Sequence, residues 1–275
     1  MRAVPITKAH AFGNDFLFVP LEHAGRDAAP LARRLCDRHH GVGGDGLILY
    51  ELGQGRARMQ LLNADGSPSE LSGNGLRCLA ALVVRNDGLK GGTPATPAPT
   101  VTVETGAGTK TLELLDRQGQ RYTFRAALGA PTDVRQVAIP VLGETIMATV
   151  LGMGNPQCVV LGPLPDEARF NRVGSALATH AMFPAGTNVE FAHVESPGRV
   201  RIVIWERGVG PTTSSGTGAS ASAVAAAAHG GAGKDVEVVA PGGTQRVEWR
   251  ADGVYLTGWA EIVFDGEVYL PPSLD

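Results

Sequence analysis

Short runs of aliphatic, aromatic and β-branched residues recur along the whole chain, and most are bounded by Gly, Asn, Asp or Pro. Runs of this length and composition predict β-strands. The predicted strands are residues 16–19, 47–50, 59–62, 101–104, 159–161, 189–192, 200–205, 236–239 and 254–256. The chain is therefore expected to be rich in β-sheet.

Four other segments carry helical patterns, with helix-forming residues in place of β-branched runs. These predicted helices are residues 28–39, with Asp27 as the N-cap, and residues 73–85, 166–179 and 216–229. The mixture predicts an α+β fold with more strand than helix. Residues 88–100 are rich in Gly, Pro and Thr and predict a mobile surface loop.

One order of motifs occurs twice, with a nearly constant separation. Gly13-Asn14 recurs as Gly154-Asn155, 141 positions later, and Ser72-Gly-Asn-Gly recurs as Ser215-Gly-Thr-Gly, 143 positions later. Two further matches keep this order: a strand ending at Asn63 with one ending at Trp205, and Asp45 with Asn188. Such self-similarity indicates an internal duplication.

The duplication predicts two pseudo-symmetric lobes, each a β-rich sheet or barrel around a central helix. Their bounds are expected at residues 1–117 and 118–264. A short tail over residues 265–275 follows, for which a return to the N-terminal lobe is left open. A length of 275 residues is enough for two units that each bury a core.

Composition and charge exclude several classes of protein. A net charge of −3 provides no basic field for nucleic acid or anionic lipid. No apolar run approaches the roughly 20 residues of a membrane span, and the polar N-terminus does not resemble a signal peptide. Three widely spaced cysteines provide neither a disulfide framework nor a metal-ligand spacing, which predicts a reducing cytoplasm and no metal.

A nucleotide cofactor is not expected either. Residues 41–46 formally match the dinucleotide fingerprint G-x-G-x-x-G. That fingerprint needs a strand before it and a helix after it, whereas here a predicted helix precedes and a predicted strand follows. The segment is interpreted as a tight turn.

The two Ser-Gly-x-Gly motifs each open a predicted helix. The first backbone N–H groups of a helix have no partner inside it, and the helix dipole adds positive character there. Glycine lets an anion approach those groups closely. Ser72 and Ser215 can also serve simply as N-caps. Their duplication at matched positions favours a carboxylate site, with both helix starts facing one cleft.

Glu206 and Arg207 follow a predicted strand. The guanidinium of Arg207 is suited to bidentate binding of a second carboxylate, while Glu206 is suited to an ammonium group. A solvated rim is the alternative for both residues. Four asparagines also lie at strand edges, where turn roles are common: Asn14, Asn63, Asn155 and Asn188.

The motifs AFGNDF, DRHHGVGGDGLIL, LLNADGSPSELSGNGLRC, GMGNPQ, GTNVEF and ERGVGPTTSSGTGAS occur in this order. The set resembles the diaminopimelate epimerases, within the wider proline-racemase-like fold, and it covers nearly the whole chain. The resemblance implies a cofactor-free enzyme of two similar lobes. Such an enzyme inverts the α-carbon of a small amino acid with one acid/base residue from each lobe. It also suggests a homodimer, which no residue pattern demonstrates.

Carried over by position, the resemblance implies roles for individual residues. Gly73, Asn74, Gly216 and Thr217 would bind the substrate α-carboxylate. Asn14 would lie near the reacting centre, and Glu206 would contact an amino group or the acid/base pair. The distal amino-acid end of the substrate would be held by the remaining polar residues, which are Asn63, Asn155, Asn188 and Arg207.

The departures from the family pattern lie at the chemistry. The two cysteines that the family uses as base and acid correspond to Ser72 and Ser215. The histidine usual after Gly-Asn-Pro is Gln157, and the glutamate usual after Gly-Val-Gly is Pro211. A thiol has a pKa near ~8.5, whereas a hydroxyl is closer to water at ~16 and needs a neighbouring base. Glu206 is the only nearby candidate that the sequence offers.

Three interpretations stay open at this point. The chain is a serine-based epimerase that interconverts LL- and meso-diaminopimelate, an isomerase of a different amino acid, or a catalytically impaired amino-acid-binding homologue. An engineered replacement of two cysteines would leave Gln157 and Pro211 unexplained.

Overall fold

The computed structural model describes residues 2–89 and 98–270. Most of the loop predicted over residues 88–100 lies outside the described residues. The chain divides into two compact units. The first runs to Ala126 and takes up the chain again from Gly258, and the second is Ala127–Thr257. In the described ranges, no helix has the length and apolar character that a membrane crossing needs.

The first unit contains two helices and most of its strands before residue 126. The elements are β1 (Arg2–Ala11), β2 (Asn14–Pro20), α1 (Ala28–Cys36), β3 (Gly46–Gly53), β4 (Arg56–Asn63), β5 (Pro68–Ser69), α2 (Gly73–Asn86), β6 (Thr100–Thr105), β7 (Gly108–Gln118) and β8 (Arg121–Gly129).

The second unit contains the other two helices. Its elements are β9 (Thr132–Val141), β10 (Glu144–Gly152), β11 (Pro156–Leu161), α3 (Glu167–Ala178), β12 (Asn188–Ser196), β13 (Arg199–Glu206), β14 (Gly210–Thr212), α4 (Gly216–His229), β15 (Asp235–Ala240), β16 (Gly243–Arg250) and the first residues of β17 (Gly253–Leu270).

Both units repeat one pattern of strand pairing. In the first, β1 is antiparallel to β2, β2 is parallel to β3, β3 is antiparallel to β4, and β4 is parallel to β6. In the second, β10, β11, β12, β13 and β15 follow the same sequence of directions. Parallel neighbours need a crossover connection, and one of the four helices lies in each. The predicted α+β fold with a duplicated, β-rich unit is confirmed.

The register identifies which residues of the two copies correspond. The β1–β2 turn places Gly13 at φ 85°, and the β10–β11 turn places Gly154 at φ 83°. Gly46 pairs with Phe16 across β2 and β3, and Asn188 pairs with Gln157 across β11 and β12. The counterpart of Asn188 is therefore Gly46, and the sequence match to Asp45 was wrong by one residue.

A side chain ends the first helix earlier than the sequence predicted. Asp27 accepts a hydrogen bond from Ala29 N at 3.0 Å, as expected of the N-cap. Helix α1 stops at Cys36 and not at residue 39, because Asp37 leaves the helical region at ψ 121°. Its carboxylate accepts the backbone N–H groups of His39 and His40, each at 2.7 Å. This local bonding competes with the helical ladder.

The central helix of each unit is buried on all sides. Every residue of α2 from Asn74 to Val84 is buried. In α4, Gly216 and the segment from Gly218 to Ala226 are buried. A helix that is apolar all round belongs in a core, and the Ala-rich sequence of α4 keeps its diameter small. Each serine motif therefore lies where a buried helix begins.

The chain leaves the first unit later than residue 117, where the sequence placed the boundary. Strands β7 and β8 form one hairpin with Gln118 opposite Arg121 and Leu112 opposite Ala126. The charged residues near 115–119 are the end of a strand and its turn. Strand β17 pairs with β1 from His10–Glu261 to Arg2–Leu270.

Candidate functional site

Both central helices begin with the same serine N-cap. Ser72 is extended at φ −125° and ψ 122°, and its Oγ accepts a hydrogen bond from Gly75 N at 3.1 Å. Ser215 is extended at φ −141° and ψ 127°, and its Oγ accepts from Gly218 N at 3.1 Å. Each hydroxyl oxygen therefore lies at the positive end of a helix, which stabilises negative charge developing on it.

In the first unit, Asn74 is the centre of a polar chain. It is buried, and its Nδ2 donates to Asn14 Oδ1 at 3.1 Å. Asn14 Nδ2 in turn donates to Asp45 Oδ2 at 2.7 Å, and Arg77 donates to Asn74 Oδ1. Two predicted site residues, Asn14 and Asn74, are thus brought together and fixed in orientation.

A cluster of charges anchors this chain at its Asp45 end. Arg38 contacts Asp45 Oδ1 at 2.8 Å and Asp15 Oδ1 at 2.7 Å, and Lys8 contacts Asp15 Oδ2 at 2.8 Å. Burial alone would raise the pKa of Asp15, but the hydrogen bonds and charges of Arg38 and Lys8 outweigh it and lower that pKa. The Asp15 carboxylate stays ionised and paired with both cations, so the β1–β2 turn that carries Asn14 is held firmly.

Arg77 is a residue that the sequence reasoning missed. It is 1% exposed, and its Nε has no hydrogen-bond partner among residues 2–89 and 98–270. Burial lowers the pKa of Arg77 to about 10, so it remains a cation at neutral pH. Its guanidinium lies 5.7 Å from the centroid of the Phe12 ring. The available signal was a charged residue inside the apolar segment LRCLAALVV.

In the second unit, Asn155, Gln157 and Asn188 lie at the neighbouring ends of β11 and β12. Gln157 Nε2 donates to Asn155 Oδ1 at 2.6 Å, and Gln157 is the parallel partner of Asn188. Asn188 is buried, and its Oδ1 accepts from Arg207 N at 2.9 Å. Gln157, where the family resemblance expects histidine, is therefore part of the structured amide cluster.

The side chain of Arg207 contacts the loop before β12. Its Nη1 donates to Ala185 O at 3.0 Å. Arg207 also lines a pocket of about 410 Å³ together with Phe183, Gly186 and Trp205. Arg207 is therefore exposed at the wall of this pocket.

Two predicted site residues, Asn63 and Thr217, make only local contacts, as does Pro211, which stands where the family resemblance expects glutamate. Asn63 is exposed, and its Nδ2 donates to Ser67 Oγ at 2.9 Å within its own turn. Thr217 Oγ1 lies 3.4 Å from Ser215 Oγ. Pro211 is exposed and pairs with Trp205 in the β13–β14 ladder.

Glu190 is the second residue that the sequence reasoning missed. It is 0% exposed, and neither carboxylate oxygen has a hydrogen-bond partner in the described part of the chain. Burial, and then the nearby charge of Glu206, raise the pKa of Glu190 well above its usual range. An ideal Cβ built on Gly218 would lie 2.5 Å from Glu190 Oε1 and 3.2 Å from Ser215 Cβ. Glu190 therefore lies against the first turn of α4.

Within the described ranges, no group of three or more His, Cys, Asp or Glu side chains is arranged to hold a metal ion. The three cysteines are free and buried. Burial raises the pKa of each thiol to about 12, so none is suited to act as a thiolate base.

Comparison with solved structures finds the same fold at low sequence identity. A probable proline racemase from Agrobacterium radiobacter K84 aligns with a TM-score of 0.72 and 17% identity, covering 98% of this chain and 94% of that chain. A predicted epimerase from Pseudomonas aeruginosa aligns with a TM-score of 0.72 and 16% identity, covering 98% of this chain and all of that one, at 100%.

Sequence comparison is more specific. The profile of the family described as diaminopimelate epimerase matches residues 6–132 and 149–263. The diaminopimelate epimerase of Desulforudis audaxviator is 44% identical over 95% of this chain and 98% of its own length. That of Desulfitobacterium hafniense is 40% identical over 95% of this chain and 96% of its own length. The chain therefore belongs to the diaminopimelate epimerase family.

Proposed function

We propose that this protein is a cofactor-independent epimerase that interconverts LL- and meso-diaminopimelate, in the synthesis of lysine and peptidoglycan precursors. The observation that carries the proposal is the family match. It spans residues 6–132 and 149–263 and so includes both serine-capped helix starts.

The substrate α-carboxylate is assigned to the unpaired N–H groups at the two helix starts, at Gly73, Asn74, Gly216 and Thr217. The orientation that Arg77 and Asn14 impose on the Asn74 side chain supports this assignment. The distal amino-acid end is assigned to Asn63, Asn155, Asn188 and Arg207. For two of these, the bond between Asn188 and Arg207 N gives structural support.

Ser72 and Ser215 are proposed as the acid/base pair, one from each unit. One hydroxyl oxygen takes the proton from the substrate α-carbon, and the other hydroxyl delivers a proton to the opposite face. Because a hydroxyl has a pKa near ~16, each serine needs a group that takes up its proton. The helix start lowers the cost of negative charge on Oγ but does not replace that group. Glu206 is the sequence-based candidate for this task.

The test is product formation. LL-diaminopimelate is incubated with the wild-type protein, and the stereoisomers are separated by chiral chromatography over time. Meso-diaminopimelate is expected to accumulate until the two isomers reach equilibrium, and Ser72→Ala with Ser215→Ala is the matched inactive control. The proposal is wrong if the wild-type protein forms no more of the meso isomer than this control.

An amino-acid-binding protein without turnover is the second candidate. It is favoured by one observation, which is that both serine hydroxyls are engaged as helix N-caps. This candidate predicts that a diamino acid raises the melting temperature without being converted. A thermal-shift panel of diamino acids and proline analogues, each followed by chiral analysis, separates a binder from an epimerase and from an isomerase of another amino acid.

A cytoplasmic location and a homodimer belong to the same proposal. The free thiols of Cys36, Cys78 and Cys158 are compatible with a reducing compartment. The homodimer rests on family resemblance alone. Light scattering after size-exclusion chromatography, with a mass near twice 28.6 kDa, is the expected result.

A further inference from the structure

The two copies of the duplicated unit differ at one buried position below the central helix. In the first unit this position is Ile48, which pairs with Phe18 and Leu61. In the second unit it is Glu190, which pairs with Val159 and Ile204. All the cross-strand neighbours are apolar, so neither setting requires a carboxyl group for packing. The first unit shows that the fold accepts a hydrocarbon side chain here.

Both side chains lie directly against the serine turn of their own helix. A Cβ on Gly75 would lie 2.8 Å from Ile48 Cδ1 and 3.4 Å from Ser72 Cβ. A Cβ on Gly218 would lie 2.5 Å from Glu190 Oε1 and 3.2 Å from Ser215 Cβ. Glycine in the third helical position therefore leaves room for the side chain below it. In the second unit that side chain is an acid, and it flanks the same glycine as Ser215.

Among residues 2–89 and 98–270, no group donates a hydrogen bond to the Glu190 carboxyl, and the charge that acts on its pKa is the like charge of Glu206. Val159 and Ile204 belong to the core cluster that includes Ala219 and Ala223 of α4. Two titratable groups interact with Glu190. Glu206 on β13 raises the pKa of Glu190, and Glu190 in turn raises the pKa of Cys158 on β11. A buried carboxyl group without a partner costs free energy. Because the first unit has Ile48 at the equivalent position, the fold itself does not require a carboxyl group there.

We propose that Glu190 takes up and returns the hydroxyl proton of Ser215 during epimerisation, across the gap that Gly218 leaves open. The proposal rests on the proposed function and adds to it the missing proton acceptor on one side. Glu190 acts through Ser215 and not on the substrate, so it is a positioning residue for that hydroxyl.

The proton count balances in both directions. The base step starts from the form in which a preceding acid step has left Glu190 as a carboxylate, because the resting Glu190 holds its proton. The O–H proton of Ser215 then passes to that carboxylate while Oγ forms a new bond to the α-proton, and the C–H electron pair stays on the substrate. When Ser215 acts as the acid, Oγ–H donates its proton to the α-carbon and is restored by the proton of the Glu190 carboxyl.

Kinetics of Glu190→Gln provide the first test. The substitution keeps the shape of the side chain but removes its ability to accept and return a proton. The kcat for LL-diaminopimelate is expected to fall at least about a hundredfold with little change in KM. An ionisation in the wild-type pH profile of kcat/KM is expected to disappear. The matched control is Glu195→Gln on the same strand, whose carboxylate contacts Arg199 and Arg201 at the surface.

A second test does not depend on turnover. Ser215→Cys places a thiol at the helix start, whereas burial raises the pKa of Cys36, Cys78 and Cys158 to about 12. The rate of alkylation by iodoacetamide reports the thiolate fraction. Adding Glu190→Gln removes a nearby acid and is expected to lower the midpoint pH of alkylation by at least about half a pH unit. Adding Glu195→Gln is expected to leave the midpoint unchanged.

The two failures are distinguishable. Absence of meso-diaminopimelate with the wild-type protein overturns the proposed function. Turnover by the wild-type protein together with a kcat of Glu190→Gln within about threefold of it overturns the role of Glu190 alone.

Discussion

Replacing Glu190 with Gln is expected to stabilise the protein at neutral pH and to leave its stability unchanged in acid. Burial raises the pKa of Glu190 in the folded state well above its ordinary value of 4.5. Between these two pKa values the folded protein keeps the proton and the unfolded chain loses it. Rising pH therefore favours the unfolded state. The stability that depends on the protonated carboxyl is complete below pH 4.5 and is lost as the pH rises through the folded pKa.

The magnitude follows from the proton count. A difference of one bound proton changes the free energy of unfolding by about 1.4 kcal/mol per pH unit. Glutamine has the shape of the protonated acid and does not titrate. The stability of the variant minus that of the wild type is thus expected to be near zero below pH 4.5. It then rises at up to about 1.4 kcal/mol per pH unit and becomes constant above the folded pKa. All other titrating groups are common to both proteins and cancel in this difference.

Urea denaturation at pH values from 4 to 8 (about one unit apart) measures the difference directly, through linear extrapolation of each unfolding curve. Glu195→Gln is a control of opposite sign. Its pKa is lowered, mainly by the hydrogen bond from Arg201, so the wild-type carboxylate contributes stability above the unfolded pKa that the variant lacks. A stability difference for Glu190→Gln that stays flat between pH 5 and 7 would show that Glu190 ionises normally, and the reasoning about its burial would be refuted.

Three further predictions concern other parts of the two units. The double substitution Ser72→Cys and Ser215→Cys is expected to raise the rate of epimerisation, because a thiol is far more acidic than a hydroxyl. An unaltered rate in the chromatographic assay would show that the missing thiols do not limit turnover. Arg77→Met removes a buried cation, so the change in the free energy of unfolding is expected to stay within about 2 kcal/mol. The kcat is expected to fall, because Asn74 loses its orienting hydrogen bond. A larger loss of stability in urea denaturation would contradict the first expectation. Gly154→Ala introduces a side chain at φ 83° with no steric neighbour within 4 Å, so backbone strain alone is expected to lower the free energy of unfolding by about 1–2 kcal/mol. A urea midpoint equal to that of the wild type would contradict this prediction.

Much of the fold could be predicted from the sequence, because its strands contain dense β-branched and aromatic runs. All nine predicted strands lie inside observed strands. Eight of the 17 strands in the described residues were missed. Two of them are β1, which Lys8 and His10 interrupt, and β7, which Lys110, Glu113 and Asp116 interrupt. Such strands alternate between a buried and a solvated face, and their identity depends on the partner strands that cover one face.

The site could be predicted where a motif is local, and not where the contact is tertiary. The serine N-caps are local, because the serine and the N–H that it binds lie three positions apart. Arg77 was hidden in a helix that reads as apolar core. The hydrogen bond from Asn74 to Asn14 joins residues 60 positions apart and is known only from the three-dimensional arrangement. Glu190 alternates with apolar residues in NVEFA and reads as a solvent-facing strand residue. Only the burial of β12 under α4 shows otherwise.

Hydrogen exchange at the substrate α-carbon tests the central claim most directly, because it detects proton removal even if net epimerisation is slow. LL-diaminopimelate is incubated with the wild-type protein in deuterated water, and deuterium at the α-carbon is followed by mass spectrometry or proton NMR. The account predicts incorporation that depends on enzyme and is abolished by Ser72→Ala with Ser215→Ala. Incorporation no greater than in buffer alone, with substrate bound, would contradict it.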